Sequence, residues 1–297
     1  MIIPPYLVKG DKIAIVSPAR KISVEELSPA LEQIRNWGFI PVLGKNVYEV
    51  SNQFAGTDEQ RLADLQWALD EPEIKAVIGS RGGYGCLRLI DQLDFSNFTK
   101  KPKWLVGYSD LTVFHSHINK ITNVASIHAT MPINFGKNKA ATQTLVDSLS
   151  GKMNTYSFSL QEQKNAQDIE GIVTGGNLSL LYAMLGSPSD IDTTDKILFI
   201  EDLDEYLYHI DRMMIAMKRA GKLKNLKALV VGSFTEMKDN AVTFGKNAHE
   251  IILDAVKEYT YPVYFNFPAG HQDINFSMVF GKSCSIKIED YNFIFRQ

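Results

Sequence analysis

This sequence of 297 residues contains only two cysteines and no long apolar run. Cys86 and Cys284 are too few for a disulfide framework, which indicates a reducing compartment. No apolar run reaches the roughly 20 residues of a membrane span, and two prolines and a Lys-Gly-Asp break interrupt the start, unlike a signal peptide. Lys/Arg runs are absent and the formal net charge is -3, so no nucleic-acid surface is indicated. We therefore expect a cytoplasmic protein that binds neither membrane nor nucleic acid.

Strand-length apolar runs alternate with helical segments in the first half of the chain. The run KIAIVSPA at 12–19 is continuous, as expected for a strand buried on both faces. Two helices follow with capping-box spacing at their starts, Ser23 with Glu26 and Thr57 with Gln60. Buried strands separated by capped helices predict an α/β fold with a parallel sheet covered by helices on both faces.

A polar stretch interrupts this pattern near the middle of the chain. We predict an N-terminal α/β domain over 1–150, a linker over 151–168, and a smaller C-terminal domain over 169–297. The last segment mixes helices with many short strands, which indicates a β-rich mixed α/β domain. The chain is long enough for each domain to have its own core.

Unusual polar residues stand where predicted strands end, which is the edge at which open parallel sheets form active sites. Ser109 and Asp110 follow one strand, and the glycine-rich segment at 81–85 follows another. Four carboxylates crowd into 201–205, and His271 lies in a loop after a glycine. A serine nucleophile needs a base, and the base needs an orienting acid. These stretches could supply all three groups.

Each of these residues also has an ordinary explanation. Ser109 could be a helix N-cap, His271 a polar loop residue, and the acids at 201–205 the first turn of a helix. His128, at the end of a strand, is a further site candidate, whereas Cys86 is better interpreted as a small buried apolar side chain. The residue types alone indicate a hydrolase and leave open which acid would serve.

Five separated motifs narrow the interpretation. They are RGGYG (81–85), LVGYSDLT (105–112), GGNL (175–178), FIEDLDEYLYHIDRMM (199–214) and PAGHQDIN (268–275). In this order and spacing, and together with GDKIAIVSPA at 10–19, they resemble the LD-carboxypeptidase family of serine peptidases, which includes the murein-recycling tetrapeptidase and the microcin C immunity hydrolase. The resemblance spans nearly the whole chain.

The resemblance implies a role for each of the main candidates. Ser109 corresponds to the nucleophile, His271 to the base and Glu201 to the orienting acid. The backbone N–H groups of Gly83 and Asp110 correspond to the oxyanion hole. Expected substrate contacts, from two of the same motifs, are Arg81, Gly82, Tyr84 and Asn177.

The same resemblance implies the reaction. The expected substrate is a cytoplasmic muropeptide, and the enzyme would cut the terminal D-alanine of a tetrapeptide from the L-centre of a diamino acid during peptidoglycan recycling. No metal or organic cofactor is implied. Family members are often homodimers, so a homodimer is expected.

Two other functions are open. One is an amidase that inactivates a peptidyl-nucleotide antibiotic with the same triad. Immunity members of the family tend to be longer and to carry an aromatic loop, whereas Trp37, Trp67 and Trp104 lie inside predicted helices or strands here. That favours the carboxypeptidase. The other is a non-catalytic binding module, and the presence of all three triad residues counts against it.

Overall fold

The computed structural model describes residues 1–159, 163–289 and 292–297, which form two β-sheets with associated helices. The strands, in chain order, are β1 (Lys12–Val16), β2 (Ile40–Leu43), β3 (Ile74–Gly79), β4 (Trp104–Gly107), β5 (Ser126–His128), β6 (Thr155–Ser159), β7 (Gln163–Lys164), β8 (Ile169–Asn177), β9 (Lys196–Leu203), β10 (Ala228–Thr235), β11 (Val263–Tyr264), β12 (Met278–Phe280), β13 (Ser283–Glu289) and β14 (Asn292–Arg296). The α-helices are α1 (Val24–Asn36), α2 (Asp58–Asp70), α3 (Ser96–Lys100), α4 (Thr112–His117), α5 (Lys139–Leu149), α6 (Leu178–Ala183), α7 (Leu207–Arg219) and α8 (Ala248–Ala255).

The first sheet has the strand order β12-β5-β4-β3-β1-β2. Strands β1 to β5 are parallel, and β12 pairs antiparallel with β5. Alternate residues of β1 serve two cores: Ala14 and Val16 pack with residues of α2, whereas Ile13 and Ile15 pack with residues of α1. A strand buried on both faces has no polar side to expose, which is why its sequence is continuously apolar. The predicted parallel sheet with helices on both faces is confirmed.

The helix starts follow the capping-box spacings of the sequence. Ser23 is the N-cap of α1, and Thr57 is the N-cap of α2. In α1 the Ser23 side chain accepts the backbone N–H of Glu26, and the Glu26 side chain accepts the backbone N–H of Ser23. Thr57 and Gln60 form the same pair of hydrogen bonds in α2. Four otherwise unpaired N–H groups are thereby satisfied. No helix in the described ranges is long and apolar enough to cross a membrane.

The second sheet has the strand order β6-β14-β13-β8-β9-β10-β11-β7. Strands β8 to β11 are parallel, and the outer strands pair antiparallel. This is the predicted C-terminal β-rich mixed α/β domain. The stretch at 151–168, predicted as a linker, contains β6 and β7. The exact domain bounds stay a prediction.

Strand β12 brings the second half of the chain to the first sheet. Met278, at the start of β12, pairs with His128, the last residue of β5. Because β12 runs antiparallel, the loop before it lies at the carboxyl end of the parallel strands. That loop, 268–277, carries His271. The C-terminal domain therefore delivers a histidine to the edge at which Ser109 follows β4.

Candidate active site

Ser109 occupies a sharp corner between β4 and α4. Its backbone φ is 62°, in the left-handed region that side-chain-bearing residues adopt rarely and at a cost of about 1–3 kcal/mol. Its side chain caps neither the turn at Ser109–Leu111 nor α4. Its Oγ lies 3.0 Å from Nε2 of His271 instead. The corner aims the hydroxyl across the domain boundary, so helix capping does not explain this serine.

Ser109, His271 and Glu201 form one hydrogen-bonded row. Nδ1 of His271 lies 2.6 Å from Oε2 of Glu201, while Nε2 faces the serine hydroxyl. Glu201 is fully buried in β9. Gly270 precedes the histidine with a φ of 114°, and a Cβ there would lie 2.9 Å from Cβ of Glu201. Glycine therefore lets the histidine loop approach the strand, and the row has the order of groups found in serine-hydrolase triads.

Glu201 and His271 favour each other's charged forms. Burial raises the pKa of Glu201, but the charge of His271 and their hydrogen bond outweigh it and hold the pKa below its ordinary value. Burial lowers the pKa of His271, but the Glu201 carboxylate outweighs it and leaves the pKa above its ordinary value. A carboxylate at Nδ1 also favours a proton on that nitrogen. Nε2 is then free to accept a proton from Ser109.

The other acids of the 201–205 stretch have different partners. Asp202 lies on the opposite side of the pleat, and its carboxylate accepts from the Asn177 side chain and the Ser179 backbone N–H, each at 2.9 Å. Burial and the neighbouring charge of Glu201 raise the pKa of Asp202 to about 7. The last two are ion-paired, Asp204 with Lys238 and Glu205 with His209. Of these four acids, Glu201 is the one in contact with the histidine.

The two residues expected to form an oxyanion hole lie beside the serine. Asp110 follows it directly, and the Asp110 carboxylate is buried and accepts the backbone N–H of Cys86 at 2.8 Å. Gly83 has a φ of 121° and lines the same cleft as Ser109. Within the described ranges, neither the Gly83 nor the Asp110 backbone N–H donates a hydrogen bond. Both N–H groups thus lack a partner in the described ranges.

A cleft of about 560 Å³ opens at this row. It is lined by the expected substrate contacts Arg81, Gly82, Tyr84 and Asn177. The side chain of Asn177 is already engaged, because it donates to Asp202 and accepts from the Leu180 N–H. Other lining residues were not singled out from the sequence: Arg20, Tyr108, Met131 and Lys137. For Arg20, its position just past the carboxyl end of β1 is the signal that could have found it.

His128 is also near the site, in a supporting position. It is fully buried, and its Nε2 lies 3.2 Å from Oδ1 of Asn275. The same oxygen accepts the backbone N–H of Gly270 at 2.9 Å. Burial lowers the pKa of His128 to about 4, so its imidazole is neutral at pH 7. His128 and Asn275 thus brace the loop that carries His271.

The environment of Cys86 disfavours the reactive form of its thiol. Cys86 is fully buried, and burial raises the pKa of its thiol well above the ordinary value. That agrees with the apolar role predicted for it, since the thiolate is the reactive form. In the part of the chain that the structure describes, no group of three or more His, Cys, Asp or Glu side chains could hold a metal ion.

Comparison with known proteins gives a consistent result. Residues 13–129 match the LD-carboxypeptidase N-terminal domain and residues 170–286 match the LD-carboxypeptidase C-terminal domain. The probable murein peptide carboxypeptidase of Bacillus subtilis (strain 168) is 32% identical over 90% of this chain and 86% of that protein. The crystal structure of muramoyltetrapeptide carboxypeptidase from Oxalobacter formigenes matches with a TM-score of 0.87 at 27% identity, covering 96% of this chain and 98% of that one. The microcin C7 self-immunity protein MccF, in complex with aspartyl sulfamoyl adenosine, shares the fold, with a TM-score of 0.88 at 21% identity over 100% and 99% of the two chains.

Proposed function

Because this chain belongs to the LD-carboxypeptidase family of serine carboxypeptidases, we propose that it removes the terminal D-alanine from murein tetrapeptides. The bond cut is the one between the L-centre of a diamino acid and that alanine. The names of the Bacillus subtilis relative and of the Oxalobacter formigenes structure support the substrate class. The single observation that carries the proposal is the hydrogen-bonded row of Ser109, His271 and Glu201.

Acylation begins with a proton transfer inside this row. His271 accepts the proton of the Ser109 hydroxyl at Nε2 as Oγ attacks the carbonyl carbon of the scissile amide. Glu201 holds the imidazole in the required tautomer and stabilises the imidazolium that forms. The tetrahedral intermediate then collapses, His271 protonates the leaving nitrogen, and D-alanine departs.

The oxyanion of that intermediate needs donors that are in place before the reaction. The backbone N–H groups of Gly83 and Asp110, which donate no hydrogen bond within the described residues, are the proposed donors. The left-handed backbone at Ser109 supports this role, because a strained corner exposes the hydroxyl and the following N–H on the same side. Loss of a single donor of this kind costs about 10²–10³ in turnover in other enzymes.

Deacylation uses the same groups in reverse. His271 takes a proton from water as the water oxygen attacks the ester carbonyl of Ser109, and it then returns the proton to the departing Oγ. The products are the shortened peptide and free enzyme. The proposal includes a cytoplasmic location, a role in peptidoglycan recycling and a homodimeric state, and it involves no metal or organic cofactor.

The test is product analysis with a panel of substrates. Purified protein is incubated separately with free murein tripeptide, tetrapeptide and pentapeptide and with aspartyl sulfamoyl adenosine, and products are identified by mass spectrometry. We expect loss of one alanine from the tetrapeptide and none with Ser109→Ala. A serine-reactive phosphonate should label the wild-type chain and leave that variant unlabelled.

The outcomes separate the candidate functions. Hydrolysis of the nucleotide substrate with an untouched tetrapeptide would replace the proposal by the antibiotic amidase. No hydrolysis together with no phosphonate labelling would favour a binding module.

A further inference from the structure

Arg20 lies in the wall of the cleft and takes no part in the steps above. Its backbone is held by a β-bridge to Phe54, and its side chain lines the cleft beside the glycine loop. In the part of the chain described here, its guanidinium has no hydrogen bond or ion pair. A guanidinium presents five donors in a rigid fork that suits carboxylates. It is therefore free to bind an anionic group of a ligand.

The glycine loop connects Arg20 to the nucleophile. A Cβ on Gly82 would lie 2.9 Å from Cβ and 3.0 Å from Oγ of Ser109. A Cβ on the next residue, Gly83, would collide with the side-chain carbons of Arg20. One glycine thus contacts the serine and its neighbour contacts the arginine stem. The stem of Arg20 therefore packs on the residue that follows the one in contact with Ser109.

Two other cations line the cleft, and each is less suited to a carboxylate. The Arg81 guanidinium is partly engaged, since it donates to the Lys21 carbonyl at 3.3 Å and lies 3.8 Å from the Glu26 carboxylate. Lys137 is a point charge that lacks the planar fork of arginine. Arg20 combines the fork, an unpaired state and a place against the proposed oxyanion donor.

We propose that Arg20 binds the terminal carboxylate of the substrate and so directs cleavage to the last residue of a peptide. The inference rests on the proposed function. When a single residue leaves, its carboxylate is only two covalent bonds beyond the scissile nitrogen. The group that binds it has to lie in the cleft near the nucleophile. Arg20 meets this condition, because it lines the same cleft as Ser109 and its stem packs on Gly83, next to the glycine that contacts Ser109. An internal peptide bond offers no carboxylate at that place, so it would be a poor substrate.

The experiment pairs a change in the enzyme with a change in the substrate. The parameters kcat and KM are measured for wild type, Arg20→Met and Arg20→Lys on the free murein tetrapeptide and on the same peptide with a C-terminal amide. Methionine keeps much of the stem that packs on Gly83 and removes the charge. Lys21→Met is the matched control, because it removes a neighbouring positive charge that does not line the cleft. Phosphonate titration counts the active sites in every variant.

We expect wild type to prefer the acid over the amide by about 10- to 150-fold in kcat/KM, the range for a hydrogen bond to a charged group. Arg20→Met should lose that preference, mainly through a higher KM for the acid, with no change for the amide. Arg20→Lys should restore part of it, and Lys21→Met should resemble wild type.

Two results overturn the inference, and they are distinguishable. If wild type cleaves the tetrapeptide and Arg20→Met keeps the full preference for the acid, the inference is wrong and the proposed function stands. Arg81→Met and Lys137→Met would then identify the cation that binds the carboxylate. If wild type cleaves neither peptide, the proposed function fails and the inference fails with it.

Discussion

Replacing Glu201 by glutamine removes one charge from the centre of the site while keeping the shape of the side chain. The carboxylate is fully buried and lies 2.6 Å from Nδ1 of His271. Water therefore cannot take its place, and the change acts on one charge-assisted hydrogen bond. Such bonds contribute about 1.5–3 kcal/mol, which corresponds to roughly 10- to 150-fold in rate.

The tautomer of His271 adds to this loss. If the glutamine presents its N–H₂ to Nδ1, that nitrogen becomes an acceptor and the ring proton moves to Nε2. Nε2 then cannot accept the proton of Ser109. The equivalent change in another triad lowers turnover by about 10⁴. We therefore expect Glu201→Gln to reduce kcat by roughly a hundredfold or more.

The assay is steady-state hydrolysis of the murein tetrapeptide, with folding checked by circular dichroism. Glu205→Gln is the matched control, because it makes the same change four residues away on an acid that bonds to His209 at 2.5 Å. It should cost modest stability and leave turnover near wild type. Near-full activity of Glu201→Gln together with inactive Glu205→Gln would refute this reasoning about the triad.

Three further predictions follow from the same site. Ser109→Ala should fold normally and lose about 10⁴- to 10⁶-fold in kcat, because nucleophile and base act as a unit, and retention of a tenth of wild-type turnover would contradict the assignment. The pH profile of kcat/KM should fall on the acid side through a pKa above 6.5, because His271 must be neutral to accept a proton and the nearby carboxylates, chiefly Glu201, raise its pKa. In Glu201→Gln that limb should move to lower pH, since burial then lowers the pKa with less opposition; an unmoved limb would argue against His271 as the base. Asn275→Ala removes the hydrogen bond that fixes Gly270. It should therefore lower the melting temperature by several degrees in a thermal scan and lower kcat by about tenfold. An unchanged kcat would show that this hydrogen bond is dispensable for activity.

The pattern of residues along the chain was sufficient for the elements and the class of fold. Continuous apolar runs predicted strands buried on both faces, and Ser23 and Thr57 predicted helix starts that the structure confirms. The placement of Ser109 and Glu201 where buried strands end was also evident. These properties depend on residues that are close together in the sequence. Short-range periodicity and helix-capping residues are therefore sufficient to predict them.

Tertiary structure alone decided how distant groups meet. Ser109 and His271 are 162 residues apart in sequence and 3.0 Å apart in space. The residue types left open which acid faces the base, and that depends on the pleat of β9 and on a loop anchored by β12 in the other sheet. The sequence does not indicate Arg20 for the same reason, since Arg20 is connected to Ser109 through a loop some sixty residues downstream of Arg20. Periodicity describes which face a residue occupies, whereas the partner on that face is set by long-range packing.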